Sequence, residues 1–228
     1  MKSVLADVDD IPVTIVIAIA YGTMSVVTGM LPVAEDFEQR LQRFGLLVPA
    51  LVAAGETWRL LAHAFLHGSI VHLLVNLWTL IVIGPALERS LGSVRFAVLY
   101  VVSALGGGIA VCMWYFPMQP VLGGSGALFG IMGALVALNM RSGRHVFAFL
   151  AFEGPRRLLS LIGLNLVIGF LIPVVSNTAH IGGLITGLAL TLLWLRPGAP
   201  SRAQWHWRIA TTALFASWLL WSMFPVTR

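Results

Sequence analysis

Five stretches of this chain run without a charged residue: 11–34, 60–87, 96–140, 158–195 and 209–227, which are 24, 28, 45, 38 and 19 residues long. A helix that crosses a bilayer needs roughly 20 apolar residues, so the two longest stretches must each hold two. Pro117, Pro120, Gly123 and Gly124 divide the first of them, because proline ends helices and glycine favours turns. "PVVSNTAH" divides the second, with Pro173 near one helix end and Asn177 or Thr178 as N-cap of the next. The pattern predicts seven helices near 11–32, 69–88, 94–116, 125–140, 157–175, 178–195 and 207–225. The second starts late because "HGSI" offers a break at Gly68 with Ser69 as N-cap.

One long connection remains, residues 33–68. Within it "AEDFEQRLQRFGLL" places Phe37, Leu41 and Phe44 on one helical face. Two placements satisfy that pattern: a helix lying on the membrane surface, or a loop helix packed on the bundle. "MKSVLADVDD" lacks the basic start and cleavage site of a signal peptide, so the first apolar stretch is expected to stay as a helix.

Composition agrees with the pattern. Hydrophobic residues make up 58% of the 228 and charged residues only 10%, more apolar surface than a soluble domain tolerates, so the expected class is an all-α polytopic membrane protein forming one membrane domain over 1–228. The net charge of +5 reads as a topology signal rather than a nucleic-acid footprint. Of the 14 basic residues, ten (Lys2, Arg89, Arg95, Arg141, Arg144, Arg156, Arg157, Arg196, Arg202 and Arg208) fall in alternate connections, and Arg40, Arg43, Arg59 and Arg228 fall opposite. That asymmetry predicts a cytoplasmic N-terminus, with the loops at 117–124 and 176–177 facing out. The expected location is a bacterial inner membrane. The lone Cys112 excludes an internal disulfide.

The fourth predicted helix, Ser125 to Met140, has 16 residues. At about 1.5 Å each it spans roughly 24 Å of a core near 30 Å. Ser125 should therefore lie below the outer surface, reached by irregular backbone that is tolerated only where protein buries it or a wet cavity meets it. His180 begins the sixth helix, and His72 and Asn76, four apart on one face of the second, enter from the same side. Polar and ionisable side chains at such depth mark functional sites. The types suit nucleophilic catalysis: Ser125 and His180 as a dyad, with His72, Asn76 and the free N–H groups of a helix N-terminus as oxyanion donors. No Asp or Glu lies at that level to orient the histidine, since Glu88, Asp7, Asp9, Asp10 and Glu153 fall on the cytoplasmic side. No metal or cofactor is expected: His63 and His67 have HxxxH spacing, but no carboxylate or cysteine joins them, and a structural role in the first loop suits both better. A hydrolase elbow would need glycine at 127, where Ala127 stands.

These residues resemble a family. "GGSGALFG" matches the GxSG motif of the rhomboid intramembrane serine proteases at Gly123, Gly124, Ser125 and Gly126, and "AHIGGLITG" is similar to that family's histidine helix. "HGSIVHLLVN" resembles its HxxxN segment, "TWRL" with Trp58 and Arg59 its WR motif, and "GPALERSLGS" its Gly84/Glu88 segment. The resemblance implies a rhomboid-like six-helix core over about 11–195 plus one additional C-terminal transmembrane helix at 207–225. It implies catalytic Ser125 and His180, oxyanion stabilisation by the Ser125 N–H, His72 and Asn76, and Phe129 as the aromatic under the imidazole. The implied substrates are single-span membrane proteins cut in or near the bilayer. The alternative is a non-catalytic rhomboid-like protein that binds or escorts membrane proteins, although such proteins normally lack the serine or the histidine. A transporter would show repeated halves with paired broken helices, which this chain does not. The small residues Gly126, Gly130, Ala179, Gly183 and Gly187 have spacing for close helix packing, which would bring Ser125 and His180 within reach.

Overall fold

The computed structural model describes residues 10–30, 34–114, 120–142, 162–163, 165–167, 169–171 and 175–194. The helices with defined ends are α1 (Pro12–Val27), α2 (Phe37–Arg43), α3 (Pro49–Ala53), α4 (Arg59–Ala62), α5 (Ile70–Leu91), α6 (Ser93–Met113), α7 (Ser125–Ser142) and α8 (Asn177–Trp194). The described residues between 162 and 171 are helical as well, within the predicted fifth helix. The predicted helix at 207–225 lies outside the described residues. Among the described residues there is no strand, only a single antiparallel bridge between Leu47 and Val121.

Local chemistry explains most of the boundaries. Ser69 caps α5, its hydroxyl accepting the N–H of His72 at 3.2 Å. Gly92 ends α5 in the left-handed region at φ 82°, and α6 starts one residue later. α1 stops at Val27 rather than 32, because Gly29 turns the chain at φ 77° and the Thr28 hydroxyl donates to Met24 O at 2.7 Å. Its first turn begins with Pro12, and its free N–H groups are capped from another helix: Glu88, fully buried on α5, accepts Val13 N at 2.9 Å, Thr14 N at 2.8 Å and Thr14 Oγ1 at 2.7 Å. Gly84 leaves room for Thr14 to reach it. α8 differs from expectation at its cap. Ser176, not Asn177 or Thr178, accepts Ala179 N at 3.3 Å, while the Asn177 amide donates to Leu166 O at 3.0 Å and so ties α8 to the segment before it.

The connection 34–68 folds onto the bundle. Leu41 and Leu46 pack with Leu66, and Phe37, Phe44, Met24 and Leu122 close around them, so the apolar face of α2 is turned to the protein. Arg59, buried, gathers the segment: Nη1 donates to Gln42 O at 2.6 Å and Leu46 O at 3.0 Å, Nη2 pairs with Glu56 at 2.6 Å, and the guanidinium stacks on Trp58.

α5 and α6 are long and apolar enough to cross a bilayer, and α1 and 125–140 are shorter apolar helices. The outward face of α5 shows the solvent it is built for: Val71, Leu74, Val75, Trp78 and Ile81 recur at helical spacing and stay exposed. α7 is the inner helix, packed against α5, α6 and α8. Ala127, Leu128, Ile131, Ala134 and Leu135 are all buried on it. Its contact with α8 is backbone on backbone: a methyl added at Gly183 would strike Gly126 O, and one at Gly187 would strike Gly130 O. α6 approaches as closely, with Gly107 facing Ala179 O and Gly182 facing Gly106 O. The small-residue spacing therefore does what it predicted.

Candidate active site

Because glycine lets α7 and α8 touch, the side chains at their starts meet. Ser125 is the first residue of α7 and His180 lies in the first turn of α8. His180 Nε2 is 2.8 Å from Ser125 Oγ, a hydrogen bond that spans 55 residues of sequence. Phe129, one turn below the serine, stacks on the imidazole at 4.2 Å between centroids and 10° between planes. The ring is buried, and its Nδ1 has no hydrogen-bond partner. In the tautomer whose Nε2 accepts from the hydroxyl, the ring proton resides on Nδ1. Ring stacking rather than a carboxylate sets the imidazole plane.

Ser125 itself is half-buried, and the backbone before it is held on both sides. Val121 pairs with Leu47 through hydrogen bonds of 2.9 and 3.0 Å, and Gly123 N donates to His63 O at 2.9 Å. Gly123 has φ 114°, and a methyl there would fall 2.5 Å from His72 Cε1, so the His72 ring lies directly over this turn. Gly124 O accepts Leu128 N at 3.0 Å, which makes Gly124 the N-cap of α7. The N–H of the same peptide, that of Ser125, is trans to this carbonyl and so points the opposite way, out of the helix start, where an anion is stabilised.

Of the four sequence candidates, three are thus placed together: Ser125 with His180 by a direct bond, and His72 over the Gly123 turn. Asn76 lies one turn further along α5, buried, with one amide N–H given to His72 O at 2.8 Å. Its Oδ1 has no partner, and an amide retains a second N–H to donate. Asn76 and Ser125 are not hydrogen-bonded to each other.

His63 bonds through Nδ1 to Arg59 O at 3.0 Å, and its own carbonyl holds Gly123, so it secures the first loop as expected. Sequence reasoning missed the two tyrosines of the layer beneath. His67 packs its ring against Tyr21 at 4.7 Å and His72 at 5.2 Å. Tyr21 and Tyr100, both buried, place their hydroxyls 2.8 Å apart under Gly124. Hydroxyls on otherwise apolar helices were the available signal, but aromatic residues fit a core equally well.

A family model described as the rhomboid domain matches residues 54–197. The chain is 39% identical over 163 residues to RHOMBOID-like protein 5 of Arabidopsis thaliana, covering 69% of this chain and 50% of that one. It is 40% identical over 151 residues to Rhomboid protease GluP of Bacillus subtilis (strain 168), covering 65% and 28%. It is 36% identical over 160 residues to RHOMBOID-like protein 6, mitochondrial, of Arabidopsis thaliana, covering 68% and 50%. The chain thus spans half the length of these relatives or less. These relatives come from a plant, one of them named mitochondrial, as well as from a bacterium, so they do not single out the bacterial inner membrane expected from the sequence. The membrane itself stands: this is an all-α integral membrane protein, and it belongs to the rhomboid family, which includes proteases.

Proposed function

We propose that the chain is an intramembrane serine endopeptidase that hydrolyses peptide bonds in or near the transmembrane segment of single-span membrane proteins. The observation that carries this reading is the 2.8 Å hydrogen bond between Ser125 Oγ and His180 Nε2, made at the start of two helices and beside a free helix N-terminus. Ser125 attacks the scissile carbonyl as His180 takes its proton. The oxyanion forms against the Ser125 N–H, the His72 ring and the remaining amide N–H of Asn76. His180 then passes its proton to the leaving amine, and a water repeats the sequence on the acyl-enzyme with His180 again as base. Phe129 keeps the ring in plane through both halves. The bias of ten basic residues to alternate connections supports an N-terminus on the cytoplasmic side and an active site that opens on the other.

The test is to incubate the detergent-purified chain with a tagged single-span protein whose helix carries small and helix-breaking residues near its outer end, and to map products by mass spectrometry. Cleavage at one site is expected, together with labelling by a fluorophosphonate. Ser125→Ala should abolish both without loss of the fold, and His180→Asn should abolish turnover with near-normal melting. Cleavage by Ser125→Ala equal to that of the wild type would end the serine-protease reading.

A further inference from the structure

The GxSG motif leaves its second position open, and this chain fills it with Gly124. The reason lies on α1. A methyl added to Gly124 would coincide with the Tyr21 hydroxyl and also meet Ala64 O at 3.1 Å. Tyr21 is fully buried, and its hydroxyl lies 2.8 Å from that of Tyr100 on α6. Tyr100 donates onward to Ala64 O at 3.4 Å, so Tyr21 donates to Tyr100 and the two hydroxyls form a chain that ends on loop backbone. Phe65 and His67 pack their rings on the same Tyr21 ring, at 6.2 and 4.7 Å. Ala64 is the neighbour of His63, whose carbonyl holds Gly123. One buried hydroxyl chain therefore meets Gly124, the residue before the serine, and ends on the Ala64 carbonyl that also faces Gly124.

We propose that Tyr21, anchored by Tyr100, is a positioning residue for the nucleophile: its hydroxyl occupies the space of the open motif position and sets where the Gly124–Ser125 peptide lies. Tyr21 reaches substrate only through that peptide. The inference rests on the reading of Ser125 as nucleophile. That peptide carries the Ser125 N–H, so a shift of Gly124 moves an oxyanion donor together with the attacking oxygen. Such misplacement lowers the rate of the chemical step and leaves substrate binding alone.

Two variant sets of the full chain in detergent test it, with kcat and KM measured on the single-span substrate and melting followed in parallel. Tyr21→Phe keeps the ring and deletes the oxygen. It should lower kcat about 3- to 10-fold, the worth of one neutral hydrogen bond, at unchanged KM. Tyr100→Phe should do the same, and the double variant should be no worse than either single one, because the hydroxyls act as a unit. Gly124→Ala should cost about 100-fold or more beside Tyr21, yet only about 3-fold when added to Tyr21→Ala, where the milder approach to Ala64 O at 3.1 Å is what remains of the clash. If Tyr21→Ala does not fold, Tyr21→Phe decides alone. A wild-type kcat for Tyr21→Phe, or the same cost of Gly124→Ala in both backgrounds, overturns the inference while Ser125-dependent cleavage still stands. A wild type without Ser125-dependent cleavage overturns both readings.

Discussion

The Ser125–His180 hydrogen bond forms because two helices touch backbone to backbone, and the most direct way to test that is to force them apart at a glycine one turn past the histidine. Gly183 is one turn past His180, and the methyl of Gly183→Ala would overlap Gly126 O of α7. The partner is main chain and cannot swing away, so relief requires that α8 retreat by about 1 Å or more to restore an ordinary carbon–oxygen separation. Added to the 2.8 Å between Ser125 and His180, that retreat leaves roughly 3.8 Å, beyond hydrogen-bond reach. Misplacement of about 1 Å costs on the order of 100-fold in rate, so kcat/KM should fall by about that factor, and fluorophosphonate labelling of Ser125 should slow in parallel. Overpacking also costs roughly 1–3 kcal/mol of stability. Gly22→Ala on α1 is the control, since nothing lies within 4 Å of its added methyl; it should leave kcat/KM unchanged. The assay is cleavage of the single-span substrate by both variants at a temperature well below the melting of each. A Gly183→Ala variant with wild-type kcat/KM would refute the claim that this backbone contact sets the dyad.

Other expectations follow from single contacts. Asn76→Ala should lower kcat about 10²- to 10³-fold with little change in KM if its free amide N–H meets the oxyanion, yet stay measurably active beside Ser125→Ala; a normal kcat with a stability loss of about 0.6–2 kcal/mol would mark it as a packing residue. Glu88→Ala strands Val13 N, Thr14 N and Thr14 Oγ1, so a loss of about 2–4 kcal/mol is expected in denaturant titration, and an unchanged midpoint would contradict the cap. His63 sits in the first loop, outside the spanning helices, and burial pushes its imidazole down to about 4. Because its folded value lies below the ordinary 6.5, the unfolded chain binds more protons between these limits, so stability should rise with pH from about 4 to 6.5. Replacing His63 with Asn should flatten that rise in melting temperature against pH.

Much of this architecture follows from linear pattern. Charge-free runs and their proline and glycine breaks place α5, α6, α7 and α8 within about three residues of their ends, and Ser69 is recognisable as a cap, because these features depend on neighbours within one turn. The candidate dyad is legible for a related reason: a serine and a histidine at two helix starts, each leading a small-residue stripe, have few ways to be used in lipid. What the chain alone leaves open is every choice between faces. The apolar side of α2 suits lipid and protein equally, and only the packing of Leu41 against Leu66 turns it inward. Ser176 displaces Asn177 as cap because Asn177 finds Leu166 O, a partner from another segment. Tyr21 and Tyr100 look like ordinary core aromatics until the fold carries residues 79 apart to one point under Gly124. Periodicity reports which residues share a face; the register at which two backbones close on each other, and hence the 2.8 Å between Ser125 and His180, is decided by the packing of all the helices at once.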